Sequence, residues 1–249
     1  RCHGARPAAR SAAAIRPAYC GRADSRRVEE AVTDALAALP RGEIDLDIGT
    51  DVRMNAVEAE PRYVEEAMSV TQGKLVIGFR LGDAMEEPDP AALTVFNSVF
   101  GSGSTSKLFV NVRERLQLCY YASSGIDMHK GLMVVSSGIE FDKFDEAKSE
   151  IFAQLDEIKN GNITDDELSA AKAGIASALR SSMDSQGELE GFYLSQTLAG
   201  LDYGPMELAE LVEDVTKEDV AAIARGVECD LIYFLKGNGE EGDDGGDDE

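Results

Sequence analysis

The chain has 249 residues, a hydrophobic fraction of 43% and a formal net charge of −23. That is enough apolar material to bury the core of one large domain. No apolar run reaches the ~18 residues of a membrane-spanning helix, and a body this acidic would repel phosphates, so membrane and nucleic-acid functions are disfavoured. The charge is uneven: residues 1–27 carry seven Arg against Asp24 alone, a net of +6 that leaves −29 for the rest. Cys2, Cys20, Cys119 and Cys229 show neither C-x-x-C nor zinc-ribbon spacing, which fits a reducing compartment better than a disulfide framework. Cys119 and Cys229 lie among apolar residues and read as small buried hydrophobes.

Residues 1–16, RCHGARPAARSAAAIR, have no apolar period. They read as a disordered segment or a gene-start artefact, the alternative being an organelle transit peptide, for which an Arg-rich, acid-poor start is typical. Tyr19-Cys20-Gly21 could end a strand. Asp24 or Ser25 can cap a helix with Val28, Val32, Leu36 and Leu39 on one face, stopped by Pro40 and Gly42. Residues 43–60 are acidic and aperiodic, as a linker would be. Lys74–Leu81, KLVIGFRL, is rich in strand formers and is followed by a Gly82-Asp83 turn. Asp89-Pro90 opens a buried helix through Phe100. After the turn Gly101–Thr105, Ser106 can cap a second helix with Leu108, Phe109, Val112 and Leu116 on one face. Tyr120–Asp127 and Gly131–Ile139 form a hairpin through Met128–Lys130.

Two long helices follow. One spans 142–159, with Phe144, Ala147, Ile151, Leu155 and Ile158 at helical spacing. The other starts at Thr164, where T-x-x-E pairs Thr164 with Glu167 as a capping box, and runs to about Met183. Gly187 could interrupt the next stretch, and a further helix covers Glu188–Leu201. Thr216 begins a short last helix, and Cys229–Leu235 is a final strand. Residues 237–249, GNGEEGDDGGDDE, have nothing apolar to bury and read as a disordered acidic tail. The order β-α-α-β-β-α-α-α-α-β predicts an α+β fold, an antiparallel or mixed sheet backed by helices, over residues 61–236.

Chemistry-bearing motifs are few. GSGST lacks the G-K-[ST] ending and follows a helix, so it is no phosphate loop and reads as a tight connection that lets Leu108 and Phe109 pack. His129 falls in the hairpin turn, and a zinc site needs three or four ligands. No Ser/His/Asp set and no hydrolase carboxylate pair stands out among the 47 acids. Arg113, late in a helix, and Tyr120, early in the next strand, carry side chains that can donate to a carbonyl or carboxylate. Arg offers a rigid fork of donors and Tyr one donor on a stiff arm. The plainer reading makes Arg113 a helix-surface charge and Tyr120 a packed strand aromatic.

Three stretches resemble the pitrilysin/insulinase family of zinc peptidases: VTQGKLVIGFR (Val70–Arg80), NSVFGSGSTSKLFVNVRERLQLCYYASSG (Asn97–Gly125) and GNITDDELSAAKAGI (Gly161–Ile175). The family's catalytic half carries H-x-x-E-H. Neither His3 nor His129 begins that motif here, so the resemblance is to the non-catalytic bacterial subunit. It implies a C-terminal half-domain in which Arg113 and Tyr120 face a peptide chamber. Cys119 stands where relatives have a small residue before the Tyr. By the same resemblance, residues 17–42 are the closing strand and helix of a preceding half-domain. No catalytic residue, metal ligand or cofactor is expected in this chain; zinc belongs to a partner subunit or a missing half. The implied role is a peptide-binding subunit that completes a substrate chamber in a heterodimer with a zinc-bearing partner. The alternatives are a C-terminal fragment of an active peptidase and an acidic protein-interaction module. The expected location is cytoplasmic, or an organelle matrix if the Arg-rich start is a transit peptide.

Overall fold

The computed structural model describes residues 15, 17–39, 42–44, 55–56, 60–82 and 88–238. The expectations for the basic start, most of the 43–60 connection and the acidic segment past Asn238 fall outside these. Contacts divide the chain into two units, Arg1–Asp51 with Arg180–Pro205, and Val52–Leu179 with Met206–Glu249.

The second unit holds a five-stranded mixed sheet. Its strands are β1 (Arg62–Met68), β2 (Gly73–Arg80), β3 (Cys119–Asp127), β4 (Leu132–Ile139) and β5 (Glu228–Gly237). They lie in the order β1-β5-β2-β4-β3. β1 runs parallel to β5, and the other neighbours are antiparallel. Helices α2 (Pro90–Phe100), α4 (Phe144–Lys159) and α8 (Lys217–Arg225) pack on one another. With the sheet they enclose a core in which Leu75, Ile77, Phe79, Met133, Val135, Phe96, Phe100, Ile151 and Val220 are fully buried. Alternation along the central strands makes the sheet two-faced. Leu75, Ile77 and Phe79 are buried, whereas Val76, Gly78 and Arg80 between them are only half-buried. On β4, Val134 and Ser136 lie on that same more open face, as does Tyr233 on β5 by its pairing with Val76.

Local chemistry sets the helix starts. Asp89 Oδ1 accepts the Ala92 N–H at 3.0 Å. Thr164 and Glu167 form the expected reciprocal box, with Thr164 N–H on Glu167 Oε2 at 2.8 Å and Glu167 N–H on Thr164 Oγ1 at 3.1 Å. This box opens α5 (Asp165–Ser182), and Thr216 with Asp219 does the same for α8. Hydrogen bonds from Thr216 hold the Asp219 carboxyl below its ordinary pKa. Burial would raise Glu167, but hydrogen bonds from Lys107 and Thr164 outweigh it and leave the group lowered. Carboxyls depressed in the fold add stability that is complete above their unfolded pKa of about 4 and is lost as pH falls through the folded values. Urea unfolding from about pH 5 to 3 is therefore expected to show a falling midpoint, with a shallower fall in Asp219→Asn; equal slopes would remove the cap from the acid limb.

Several expectations need correction. Arg62–Met68 is a strand where the sequence predicts no element; it sits at a sheet edge, is largely exposed and shows no apolar alternation. A helix, α7 (Pro205–Asp214), also stands where none is expected; its Leu208, Ala209 and Val212 are buried at helical spacing. Gly187 lies inside α6 (Gln186–Ala199), which Ser185 caps. Gly237 ends β5, and Asn238 donates to Met68 O at 3.0 Å, so the sheet runs into the stretch assigned to the tail. In the first unit, Tyr19–Gly21 is not a strand; the Tyr19 hydroxyl accepts the Ala23 N–H at 3.0 Å. Asp24 caps α1 (Ser25–Ala37), whose Val28, Val32 and Leu36 are half-buried while Leu39 is exposed.

Candidate peptide-facing site

The segment from Gly101 to Tyr120 joins α2 to β3. Gly101 is needed for close approach. A Cβ there would lie 2.6 Å from Ser124 Oγ, 2.7 Å from Ser124 N and 2.8 Å from Leu108 Cδ1, and its carbonyl accepts the Ser124 N–H at 3.1 Å. The turn thus brings β3 and Leu108 against the end of α2. Gly101→Ala is expected to cost about 1–3 kcal/mol, because backbone and not a flexible side-chain tip must give way. Denaturant melts would test this; a loss below about 0.5 kcal/mol would show that β3 can move.

Ser106 Oγ accepts the Phe109 N–H at 3.3 Å and opens helix α3 (Leu108–Arg115), whose turns are wide. Leu116 N–H donates to Asn111 O, an i→i+5 bond of 3.1 Å. Such π-type winding is rare and is often found at functional sites. Three rows of every-fourth residues result. Leu108 and Val112 are buried. Lys107, Asn111 and Arg115 meet the two helices behind: Lys107 pairs with Glu167 at 2.8 Å, Asn111 with Gln154 at 2.7 Å, and Arg115 with Glu150 at 3.3 Å. Phe109 and Arg113 form the third row, the guanidinium carbon 4.7 Å from the ring centroid. Leu116, expected on the buried face, lies past the last helical residue and is exposed. Gln117 then takes a left-handed φ of 53° and turns the chain into β3.

At the start of β3 the pairing shifts: Cys119 faces Ile139, but Tyr121 faces Gly138, leaving Tyr120 as the extra residue of a β-bulge. Bulges re-aim side chains. Here Tyr120 and Tyr121 are both exposed in succession, Tyr120 at 61%. Tyr120 lines a hollow of about 330 Å³ with Thr71, Ile139, Glu140, Phe141 and Asp142, and the Tyr121 ring lies over Gly138.

Arg113 therefore sits 40% exposed on α3, its Nε 3.6 Å from Glu114. Tyr120 sits at the bulge. No hydrogen bond or cation–π contact joins the two among the described residues. Burial raises the Cys119 thiol pKa, while a hydrogen bond with Ser137 and the Arg113 charge lower it. Cys119 and Cys229 are half-buried, less enclosed than expected, and burial pushes Cys229 up to about 11. His129 is exposed in the hairpin turn, its N–H on Asp127 Oδ1 at 3.1 Å. Among the described residues no group of three metal-ligating side chains comes together. With no H-x-x-E-H in the sequence, the residues present do not fit the family's zinc site. The Lys107–Glu167 and Asn111–Gln154 contacts were not foreseen. Their partners are 60 and 43 residues apart, beyond any local spacing rule.

Comparison with known proteins bears on the family and the fold. Residues 13–175 match the family model described as the peptidase M16 inactive domain. A probable inactive metalloprotease, YmfF of Bacillus subtilis, is 38% identical over 72% of this chain and 42% of its own length. An uncharacterized zinc protease of Streptomyces coelicolor is 28% identical over 55% of this chain and 30% of its own length. The chain thus spans less than half of either relative. A conserved protein from Enterococcus faecalis has TM-score 0.73 and 28% identity, covering 84% of this chain and 49% of that one. A peptidase M16 inactive domain from Pseudomonas fluorescens has TM-score 0.68 and 22% identity, covering 86% and 52%. The mixed sheet, its helical backing and the matched stretch agree: the chain belongs to the peptidase M16 inactive-domain family.

Proposed function

We propose that this chain is a non-catalytic, peptide-binding subunit or half that completes a substrate chamber with a zinc-bearing M16 partner. The observation that carries the reading is the bulge at the edge of a one-face-open sheet. It sets Tyr120 outward beside a hollow, next to a helix that presents Arg113. Both side chains can donate to a peptide carbonyl or carboxylate. Neither can activate water, so the bond-breaking step belongs to the partner.

The purified chain alone is expected to cleave no peptide and to retain no stoichiometric zinc, since its two histidines cannot supply the His/His/Glu site. Fluorogenic peptide assays with and without a chelator, together with elemental analysis, test this. Turnover that appears only after a zinc-bearing M16 subunit is added supports the reading. Chelator-sensitive cleavage by the chain alone would overturn it. A longer form of the protein with its own H-x-x-E-H, active without a partner, would replace it with the fragment reading.

A further inference from the structure

The wide turn of α3 needs an external hold, because i→i+5 bonds are a poorer arrangement than the i→i+4 ladder. Asn111 supplies both parts of it. Its backbone carbonyl accepts the Leu116 N–H that defines the wide turn, at 3.1 Å. Its side-chain Nδ2 donates to Gln154 Oε1 at 2.7 Å. Gln154 is a firm post: it is 7% exposed, stands on α4 beside the buried Ile151 and Leu155, and donates its own Nε2 to Glu150 Oε1 at 2.7 Å. Arg113 lies two residues beyond Asn111, within the turn so held.

We infer that Gln154 is a positioning residue that, through Asn111, holds α3 in its wide winding and so fixes how Arg113 is presented beside β3, the strand α3 packs against, at the end that carries Cys119 and Tyr120. The functional meaning of this presentation rests on the peptide-facing reading above. If the winding relaxed to i→i+4, it would tighten from Leu108 onward and Arg113 would rotate relative to β3, carrying its stack on Phe109 with it.

Cys119 reports the placing of Arg113 without any substrate or partner, because the Arg113 charge favours its thiolate. The experiment measures iodoacetamide alkylation of Cys119 at pH 8 in the full chain, resolved by peptide mass spectrometry, with Cys229 as the internal control. Arg113→Ala, Gln154→Met and the double variant are compared. Each single change is expected to slow Cys119 alkylation about two-fold by reducing the thiolate fraction, and the double variant to be no slower than either. A merely structural role predicts the opposite sign, since loosening around α3 would expose the thiol and speed the reaction. An unchanged rate in Gln154→Met, a faster one, or effects that multiply in the double variant would overturn the inference. Melting curves check folding; should Gln154→Met fail to fold, Asn111→Ser breaks the same bond from the other side. Peptide turnover by the complex separates the two proposals. An alkylation cycle as expected with turnover unchanged by Arg113→Ala leaves the positioning intact and removes the peptide-facing role.

Discussion

Arg113→Ala and Tyr120→Phe are each expected to lower peptide turnover by a complex of this chain with a zinc-bearing M16 subunit by about 10- to 100-fold. Losing one hydrogen bond from a charged group, or to a charged group of the peptide, costs about 1.5–3 kcal/mol, and about 1.4 kcal/mol is a factor of ten. Tyr120→Phe is the sharper test. The ring stays, and the hydroxyl makes no hydrogen bond among the described residues, so stability should not change. Arg113→Ala also removes the stack on Phe109, worth about 0.5–1 kcal/mol at an exposed site, so a small loss of melting temperature is expected with it. Should turnover hold in both variants while both remain folded, Arg113 and Tyr120 are surface residues and only the family membership stands.

How much of this was legible beforehand depends on how far each signal reaches along the chain. The α2 start at Asp89-Pro90, the Thr164/Glu167 and Thr216 caps and the hairpin around His129 are set by residues within four positions of each other, and each stands within two residues of its expected place. β1 was not legible because its pairing partner, β5, lies more than 150 residues on, and RYVEEAM has no apolar alternation of its own. The site divides in the same way. Arg113 and Tyr120 could be named as candidates from the family resemblance, which implies an Arg late in this helix and a Tyr early in the strand. The wide winding of α3 could not, since rows of every-fourth apolar residues suit an ordinary helix as well. Nor could the bulge, which exists only relative to β4. The features that aim both side chains are long-range ones, and a single chain read locally does not display them.

The ion pair at the entrance to α3 should be the largest single polar contribution in this region. Lys107 Nζ donates to Glu167 Oε1 at 2.8 Å, with the two side chains only 8% and 24% exposed. Removing one partner of a buried pair leaves the other charge in a poor solvent, which costs about 3–5 kcal/mol when burial is complete. Glu167 keeps some water and its bonds to Thr164, so Lys107→Met is expected to cost about 2–3 kcal/mol. In a protein of this size that is a fall of roughly 5–10 °C in Tm. Met retains the apolar stem, so the loss reports the charge and not the packing. Adding Glu167→Gln should recover part of it, because no uncompensated carboxylate then remains and the glutamine can still accept from Thr164. A Tm within about 1 °C of the parent in Lys107→Met would show that solvent satisfies Glu167 unaided. The start of α3 would then be held by Ser106 and the buried Leu108 alone.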